Sequence, residues 1–304
     1  MAKERCTSRN ITCWGKYNDD LVKRGVFVWG LGFLGSWDED VKKMNTEKKG
    51  RPFDFPDSLF IFCERVRATV NIQLRMLEGM LREILELFGR KAPDHSTIEE
   101  RCSQLVWKYP TREYEEYGNV GVDSTCINVT NRGEWLSENY DLKRGFFKVH
   151  LAVDTETDRI LAHRVTDEHT GDPGMMIPLI DDSILNGFYP DKVLGDAAYD
   201  AKYNWQGLVN DRKIRDTVIN LRSSDVHANG CLHKGQLIEE RDKVGKDQWK
   251  KDHGYGMRWK CECTNSDLKR LTGQYTHSRK PERIENEMDC KIQVFNRLKK
   301  WRGQ

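Results

Sequence analysis

The hydrophobic positions of the first third of the chain recur with the 3.6-residue period of an α-helix. Residues 57–109 show this pattern, which is broken at Gly89 by a residue typical of a helix C-terminus. Its apolar stripes consist of Leu59, Cys63, Val66 and Val70, and then Leu74, Leu77, Leu81, Ile84, Leu85 and Phe88. Ser96 and Glu99 then have the spacing of a capping box and predict a new helix. Two helices joined in this way fit a helix-turn-helix or, equally well, a structural helical bundle.

After Tyr117 the period changes to that of β-strands. The runs NVGVDSTCINV, GFFKVHLAVD and RILAHRVTD, separated by polar or glycine-containing segments, predict three antiparallel strands. A helix capped by Asp172, the strand KVLGD, the helix DAKYNWQGLVNDR and the strand DTVINL follow. Three strands followed by alternating helices and strands predict a mixed sheet covered by helices, which is an α/β architecture.

The C-terminal part contains a polar stretch and two further helices. Residues 222–252 are rich in charge and suggest an insertion. A helix that begins near Tyr255 is expected to end at Gly273 in a left-handed cap, and a last helix is expected from Pro281. The buried stripe of that last helix is predicted to consist of Ile284, Met288, Ile292, Phe295 and Leu298. We therefore expect a mainly helical N-terminal domain over residues 1–112 and an α/β domain over residues 113–304, with the insertion near 222–252.

Composition favours a folded protein of the reducing cytoplasm. The chain has 304 residues, of which 38% are hydrophobic, so it can bury a substantial core. We find no apolar run long enough to span a bilayer and no signal-peptide pattern in the sequence MAKERCTSRN, so no membrane partner is expected. Nine cysteines, an odd number without repeated spacing, are expected to be free thiols.

Charge says little about partners when it is averaged over the whole chain, since the net charge is only +2. The final residues 291–304, however, contain five basic side chains and no acidic one. A basic segment of this kind can follow a nucleic-acid backbone, although a solvated helix face has the same composition.

Two aspartates stand where an α/β sheet would present them to a ligand. Asp123 interrupts the first β-run after Val120 and Val122, and burying an acid there is costly without a partner. Asp196 follows an apolar strand, at the end where ligands gather in open α/β sheets. Either residue alone could equally be a turn residue or a helix cap, and Asp200 is interpreted as a cap.

A third acid, Glu262, is predicted to lie on a helix together with an aromatic residue and two basic residues. At 100° per residue, Tyr255, Arg258, Glu262 and Lys269 fall within about 60° of one another around the axis. An exposed salt-bridge face would explain this pattern as well. A zinc site at Cys261 and Cys263 is disfavoured, because residues two apart on a helix point in nearly opposite directions.

These residues resemble a known family. Asp123 within GVDST, Asp196 within LGDAAYD and the pattern Y-x2-R-x3-E-x6-K resemble the DDE transposases of prokaryotic insertion sequences, in the group with a Tyr-Arg-Glu-Lys signature. The segments LVKRG, MNTEKKGRPFDFPDSLF, LRMLEG and PDHSTI are similar to the N-terminal part of such proteins. The resemblance covers most of the chain and is weakest in the first residues and over 222–252.

The resemblance implies a ribonuclease-H-like catalytic domain, in which a mixed sheet is flanked by helices. Asp123, Asp196 and Glu262 would be catalytic and would bind two Mg²⁺ ions, for which Mn²⁺ could substitute. These ions would activate a water or a DNA 3′-hydroxyl and stabilise the leaving oxygen. Tyr255, Arg258 and Lys269 would hold DNA phosphates.

The expected partners of such a transposase are double-stranded DNA and a second copy of the chain. The DNA would be the terminal inverted repeats of the transposon and the target, bound by a homodimer in a synaptic complex in the cytoplasm, at the nucleoid. A helix-turn-helix within residues 1–112 would bind the DNA ends. Trp205 and Trp259 could stack on an extruded base.

Two other functions stay open on sequence grounds. One is a domesticated DNA-binding protein that keeps the fold and does not cut DNA. The other is a hydrolytic nuclease that cuts DNA without joining strands, since a two-metal site serves both reactions.

Overall fold

The computed structural model describes residues 14–107, 109, 116–129, 145–214, 216–221 and 231–301. The chain divides into two compact units, the first comprising Met1–Val106 with Gln293–Gln304 and the second comprising Trp107–Ile292. Each unit has its own hydrophobic core. Across the described ranges, no helix is both long and apolar enough to cross a membrane.

The first unit is helical, as its apolar period predicts. Its helices, in chain order, are α1 (Trp14–Trp29), α2 (Phe33–Asn45), α3 (Asp57–Val70), α4 (Leu74–Glu86) and α5 (His95–Gln104). Aromatic and aliphatic side chains of α2 to α5 form the core, among them Phe33, Trp37, Phe60, Leu77, Leu81 and Ile98. Both predicted stripes supply buried residues, because the 3.6-residue period places them on one side of each helix.

The predicted start of α5 is wrong by two residues. Asp94, and not Ser96, is the N-cap, and its Oδ1 accepts the Thr97 backbone N–H at 2.7 Å. The aspartate stands in extended conformation just before the helix, which is the geometry that lets a short carboxylate reach the third amide.

Eight residues, 87–94, connect α4 to α5. Gly89 has a φ of +63°, and the Arg90 N–H donates to the Leu85 carbonyl at 2.9 Å, so the glycine ends α4 as predicted. This connection is longer than the three- to four-residue turn of a helix-turn-helix. A DNA-binding role for α5 stays a prediction.

The second unit is built on a mixed sheet. Its strands are β1 (Glu116–Val129), β2 (Phe146–Asp154), β3 (Ile160–Thr166), β4 (Phe188–Gly195), β5 (Asp216–Ile219) and the short β6 (Tyr275–Thr276). The strand order is β3-β2-β1-β4-β5, and β6 pairs with the end of β1. The pairs β1–β2 and β2–β3 are antiparallel, whereas β4 is parallel to both β1 and β5. This is the predicted ribonuclease-H-like arrangement.

Helices accompany this sheet, as the alternation of elements predicts. They are α6 (Met176–Leu185), α7 (Lys202–Gln206), α8 (Leu232–Val244), α9 (Lys246–Asp252), α10 (Trp259–Thr272) and α11 (Pro281–Lys300). Leu179 and Ile180 of α6 share a core with Val120 and Val122 of β1. All five predicted stripe residues of α11 are buried, and those up to Ile292 belong to the second unit.

The polar stretch 222–252 contains helices wherever the structure describes it. Residues 222–230 lie outside the described ranges, and the remainder forms α8 and α9. Leu237, Ile238 and Trp249 are buried in the core of the second unit. A few apolar residues at helical spacing therefore fix a segment whose average composition is polar.

Two predicted caps differ from the structure. Asp172 begins a 3₁₀ turn, Asp172–Met175, whose N-cap is Gly171, and its carboxylate pairs with Lys148 at 3.2 Å. Gly273 ends α10 at φ +83° and ψ 159°, a glycine conformation but not the left-handed helical one. The Asp172 carboxylate is thus used by a partner on β2, 24 residues away in the chain, which the local sequence does not reveal.

Candidate active site

The register of two parallel strands places Asp123 and Asp196 side by side. Gly121 of β1 pairs with Leu194 of β4, and each aspartate stands two residues further along the chain. Asp123 is still within β1, whereas Asp196 directly follows the end of β4. The two aspartates therefore lie at the carboxyl end of the parallel pair, where α/β sheets bind ligands, and Asp196 is near enough to raise the pKa of Asp123 by repulsion.

Asp196 is fixed by the turn that follows it. It is the N-cap of the 3₁₀ turn Ala197–Tyr199, and its Oδ1 accepts the Ala198 N–H at 2.8 Å. The side-chain Nδ2 of the buried Asn204 donates to the carbonyls of Pro173 and Tyr199, each at 2.9 Å. Asn204 thus ties this turn to the segment before α6.

The segment that carries Glu262 is not a continuous α-helix. Tyr255–Arg258 forms a 3₁₀ turn, preceded by Gly254 with a φ of +62°, and α10 begins only at Trp259. The predicted single α-helical face is therefore wrong for its first two members. Glu262 lies in the first turn of α10, and Lys269 lies in its last turn, about two turns further on.

Arg258 connects two of the three acids. Its Nη2 donates to Glu262 Oε1 at 2.6 Å, and its Nη1 lies 3.7 Å from Asp123 Oδ1. The Arg258 side chain is only 17% exposed, whereas that of Glu262 is 62% exposed. An Arg258–Glu262 salt bridge, as an exposed salt-bridge face would contain, is therefore present. It is not only a surface pair, because the arginine also faces Asp123.

Electrostatics show that these groups share one environment. Burial raises the pKa of Asp123, Arg258 and the Ser124 N–H oppose that rise, and repulsion from Asp196 and Glu262 adds to it. Burial also raises the pKa of Tyr255, against the attraction of Arg258. Burial acts to lower the pKa of Arg258, but Tyr255, Asp123 and Glu262 outweigh it and the pKa is raised.

The carboxylate oxygens of these acids suit a hard cation, but the three side chains are not gathered around one point. In the described part of the chain, no three His, Cys, Asp or Glu side chains are gathered closely enough to hold a metal. Asp123 and Asp196 present carboxylate oxygens, the ligands that Mg²⁺ prefers. Glu262 would have to leave its ion pair with Arg258 in order to act as the third ligand.

Cys261 has a packing role. It is fully buried, and a Cβ built on Gly121 would overlap its Sγ, so the thiol occupies the space that the glycine leaves on β1. Burial raises the pKa of Cys261 far above its usual range, which keeps the thiol protonated. A zinc ligand must be a thiolate, so this environment also argues against zinc.

The predicted roles of Asp200 as a helix N-cap and of Trp205 as a stacking residue are both wrong. Ala201 is the N-cap of α7, and Asp200 instead accepts hydrogen bonds from Lys234 Nζ at 2.8 Å and Trp205 Nε1 at 2.7 Å. Trp205 is completely buried and therefore cannot stack on an extruded base. Trp259 is 51% exposed, and its stacking role stays a prediction.

Asn265 contacts the predicted site residue Asp123, and the sequence analysis did not include it. Its Nδ2 donates to Asp123 Oδ2 at 3.0 Å, from a position one turn beyond Glu262 on α10. The available signal in the sequence was that Asn265 stands three residues after Glu262, which places the two residues on one side of a helix.

Two family models match the sequence. A model described as a transposase DDE domain matches residues 117–292, which include Asp123, Asp196, Glu262 and the basic residues of α10. A second model, also described as a transposase DDE domain, matches residues 22–132. The first match alone covers more than half of the 304 residues. With its ribonuclease-H-like sheet and its acids at the carboxyl end of the parallel strands, this chain belongs to the transposase DDE domain family.

Proposed function

We propose that this chain is an active transposase of a prokaryotic insertion sequence, of the Tyr-Arg-Glu-Lys group. It cuts DNA at the terminal inverted repeats of the element and joins the freed ends to a target by two-metal phosphoryl transfer. Family membership implies transposase function and therefore DNA as a partner. The observation that carries the catalytic proposal is the β1–β4 register, which sets Asp123 beside Asp196 next to the strand that α10 contacts.

The three acids are the proposed metal ligands. Asp123, Asp196 and Glu262 hold two Mg²⁺ ions, or Mn²⁺ in their place, because carboxylates are the usual ligands of hard cations. When bound, such ions activate a water or a 3′-hydroxyl and stabilise the leaving oxygen. The exposed Glu262 is on the first turn of α10 and can leave Arg258 by side-chain rotation alone.

Arg258 has two partners in turn under this proposal. Without DNA it neutralises the charge of Asp123 and Glu262, which lie 3.7 Å and 2.6 Å from its nitrogens. With Glu262 serving as a metal ligand, the guanidinium would be available to a DNA phosphate, for which its planar donor set is suited. Tyr255 and Lys269 are the further proposed phosphate ligands, from the turn before α10 and from its last turn.

The remaining assignments extend this proposal to the whole protein. Residues 1–112 bind the DNA ends, and residues 113–304 catalyse cleavage and joining. Two copies act together in the synaptic complex, so that both ends of the element are held at once, in the cytoplasm at the nucleoid.

A substitution of Glu262 tests the proposal. Glu262→Gln keeps the shape and removes the charge, so we expect end binding to persist and Mg²⁺-dependent cleavage to be lost. The assay uses the purified full chain and DNA that carries the inverted repeats flanking its gene. The matched control is Asp267→Asn on the same helix, whose carboxylate pairs with Arg270 at 3.0 Å and which should cleave normally. Near-normal cleavage by Glu262→Gln would refute the catalytic assignment.

The products of the unmodified chain distinguish the alternatives. Joined strands in which a transposon end is linked to target DNA are expected for a transposase. Cut ends without joining would indicate a hydrolytic nuclease, and end binding without cutting would indicate a DNA-binding protein.

A further inference from the structure

Asn265 makes a direct hydrogen bond to a proposed metal ligand. Its Nδ2 lies 3.0 Å from Asp123 Oδ2, and the two residues are 142 positions apart in the sequence. The direction of this bond is fixed, since an ionised carboxylate only accepts hydrogen bonds and the amide nitrogen only donates them.

The two oxygens of Asp123 face different groups. Oδ2 accepts from Asn265, whereas Oδ1 faces Arg258 at 3.7 Å, beyond hydrogen-bonding distance. The Asp123 side chain is only 16% exposed, so water has limited access to it. The bond from Asn265 is therefore a short side-chain contact that orients the carboxylate, which also interacts with the Ser124 N–H.

Asn265 occupies a position that packing alone would give to an apolar residue. It is 8% exposed and shares the buried side of α10 with Cys261, Thr264, Leu268 and Thr272. Its Oδ1 has no hydrogen-bond partner among the described residues. Burying an amide with an unsatisfied carbonyl is unfavourable, so a stabilising role accounts poorly for asparagine at this position.

We propose that Asn265 is a positioning residue that holds the Asp123 carboxylate in the orientation in which it binds the metal. This inference rests on the proposed function, because it takes Asp123 as a metal ligand. Hydrogen bonds from surrounding residues orient metal-binding carboxylates, and their removal typically lowers metal affinity or activity by about 10- to 100-fold.

Asn265→Leu separates positioning from stability. The leucine has a similar size, suits the buried side of α10 and lacks both the donor and the unpartnered carbonyl. We expect its melting temperature without metal to equal or exceed that of the unmodified chain, and its binding to DNA ends to be unchanged. The Mn²⁺ concentration needed for half of the metal-induced rise in melting temperature should increase about tenfold or more. Mg²⁺-dependent cleavage should fall by a similar factor at limiting Mg²⁺.

Two further variants make the result specific. Asn265→Ala removes the donor without adding bulk and should show the same weaker Mn²⁺ response. Thr264→Val is the matched control, because Thr264 is buried on the same helix and its hydroxyl also has no hydrogen-bond partner among the described residues. Its Mn²⁺ response and its cleavage should match those of the unmodified chain.

The outcomes separate this inference from the proposed function. An unmodified chain that neither cleaves DNA nor responds to Mn²⁺ overturns the proposed function. If the unmodified chain cleaves DNA and responds to Mn²⁺, and Asn265→Leu and Asn265→Ala show the same Mn²⁺ response, only the positioning role is overturned. An equal defect in Thr264→Val also overturns it, since the effect would then come from helix packing.

Discussion

At the scale of single residues, several interactions converge on Asp123. It is largely buried, accepts a hydrogen bond from Asn265 and faces Arg258, and it is repelled by two neighbouring acids. The net effect is a raised pKa, with burial as the main cause. The folded protein therefore holds an ionised Asp123 at a cost, which a bound cation would offset.

This cost predicts that Asp123→Asn stabilises the metal-free protein at neutral pH. Because the folded-state pKa is raised above its unfolded value, ionisation of Asp123 removes stability as the pH rises through the two values. The advantage of the asparagine variant should shrink as the pH falls through the raised folded-state pKa. It should vanish below about 4, the usual pKa of an aspartate, where the carboxyl is protonated in both states. Melting temperatures of both proteins between neutral and acid pH, in a chelating buffer, measure the difference.

Asp167→Asn serves as the control of opposite sign. Hydrogen bonds from Thr170 lower the pKa of Asp167, so its ionised form stabilises the fold above the unfolded pKa, and this contribution is lost as the pH falls. The asparagine variant should therefore be the less stable protein at neutral pH. If Asp123→Asn is less stable than the unmodified chain at neutral pH, the favourable contacts of the Asp123 carboxylate with Arg258 and Asn265 outweigh the cost of burying its charge.

At the scale of elements, the site depends on how closely α10 approaches β1. Gly121 leaves space for Cys261, and α10 carries Glu262 and Asn265 on the turns next to that contact. The glycine is thus required by a close approach of helix and strand. The same approach brings the Asn265 amide within hydrogen-bonding distance of Asp123.

Gly121→Ala is expected to displace α10 and to destabilise the protein by about 1–3 kcal/mol, the usual cost of overpacking a core. Cleavage should fall as well, because Glu262 and Asn265 move with the helix. Adding Cys261→Ala should restore most of the stability and activity, since it removes the sulfur that the new Cβ would overlap. Chemical denaturation and the cleavage assay measure the two effects.

Gly79→Ala is the matched control for that substitution. Gly79 is exposed within α4, and a Cβ there meets no atom within 4 Å, so alanine should stabilise the helix by about 0.5–1 kcal/mol. If the double variant Gly121→Ala with Cys261→Ala is no better than Gly121→Ala alone, contact with the sulfur is not the reason for the glycine.

At the scale of the whole molecule, the net charge of +2 gives little general attraction to DNA, so affinity must come from local groups. Arg258→Ala and Lys269→Ala should each weaken binding of transposon-end DNA. Each should also flatten the dependence of log affinity on log salt concentration by about one counterion. Binding titrations of the full chain at several salt concentrations measure this slope.

The control for the slope is Arg270→Ala, which removes a positive charge next to Lys269. Arg270 points about 100° away around the helix axis and pairs with Asp267, so the slope should stay unchanged. Equal slopes for all four proteins would mean that Arg258 and Lys269 do not contact phosphate.

The sequence by itself determined the elements and much of their arrangement. Helical periodicity located α3, α4 and α11, and the change to β-runs located the antiparallel strands. The alternation that follows located β4 and β5, and with β4 the strand that Asp196 follows. These features are predictable because each depends on which side of an element is apolar, and residues close in sequence record that side.

Only the tertiary structure decided the partners of the polar side chains. Asp200 pairs with Lys234 and is not the N-cap of α7, and Asp123 accepts a hydrogen bond from Asn265. The turn that contains Arg258 is 3₁₀ and not α-helical. A polar side chain takes whichever partner the packed elements bring near, and here the partners stand 34 and 142 residues away in the chain. Periodicity encodes the buried side of an element. It does not encode the distance at which two elements pack, which here depends on the contact between Gly121 and Cys261 in the folded protein.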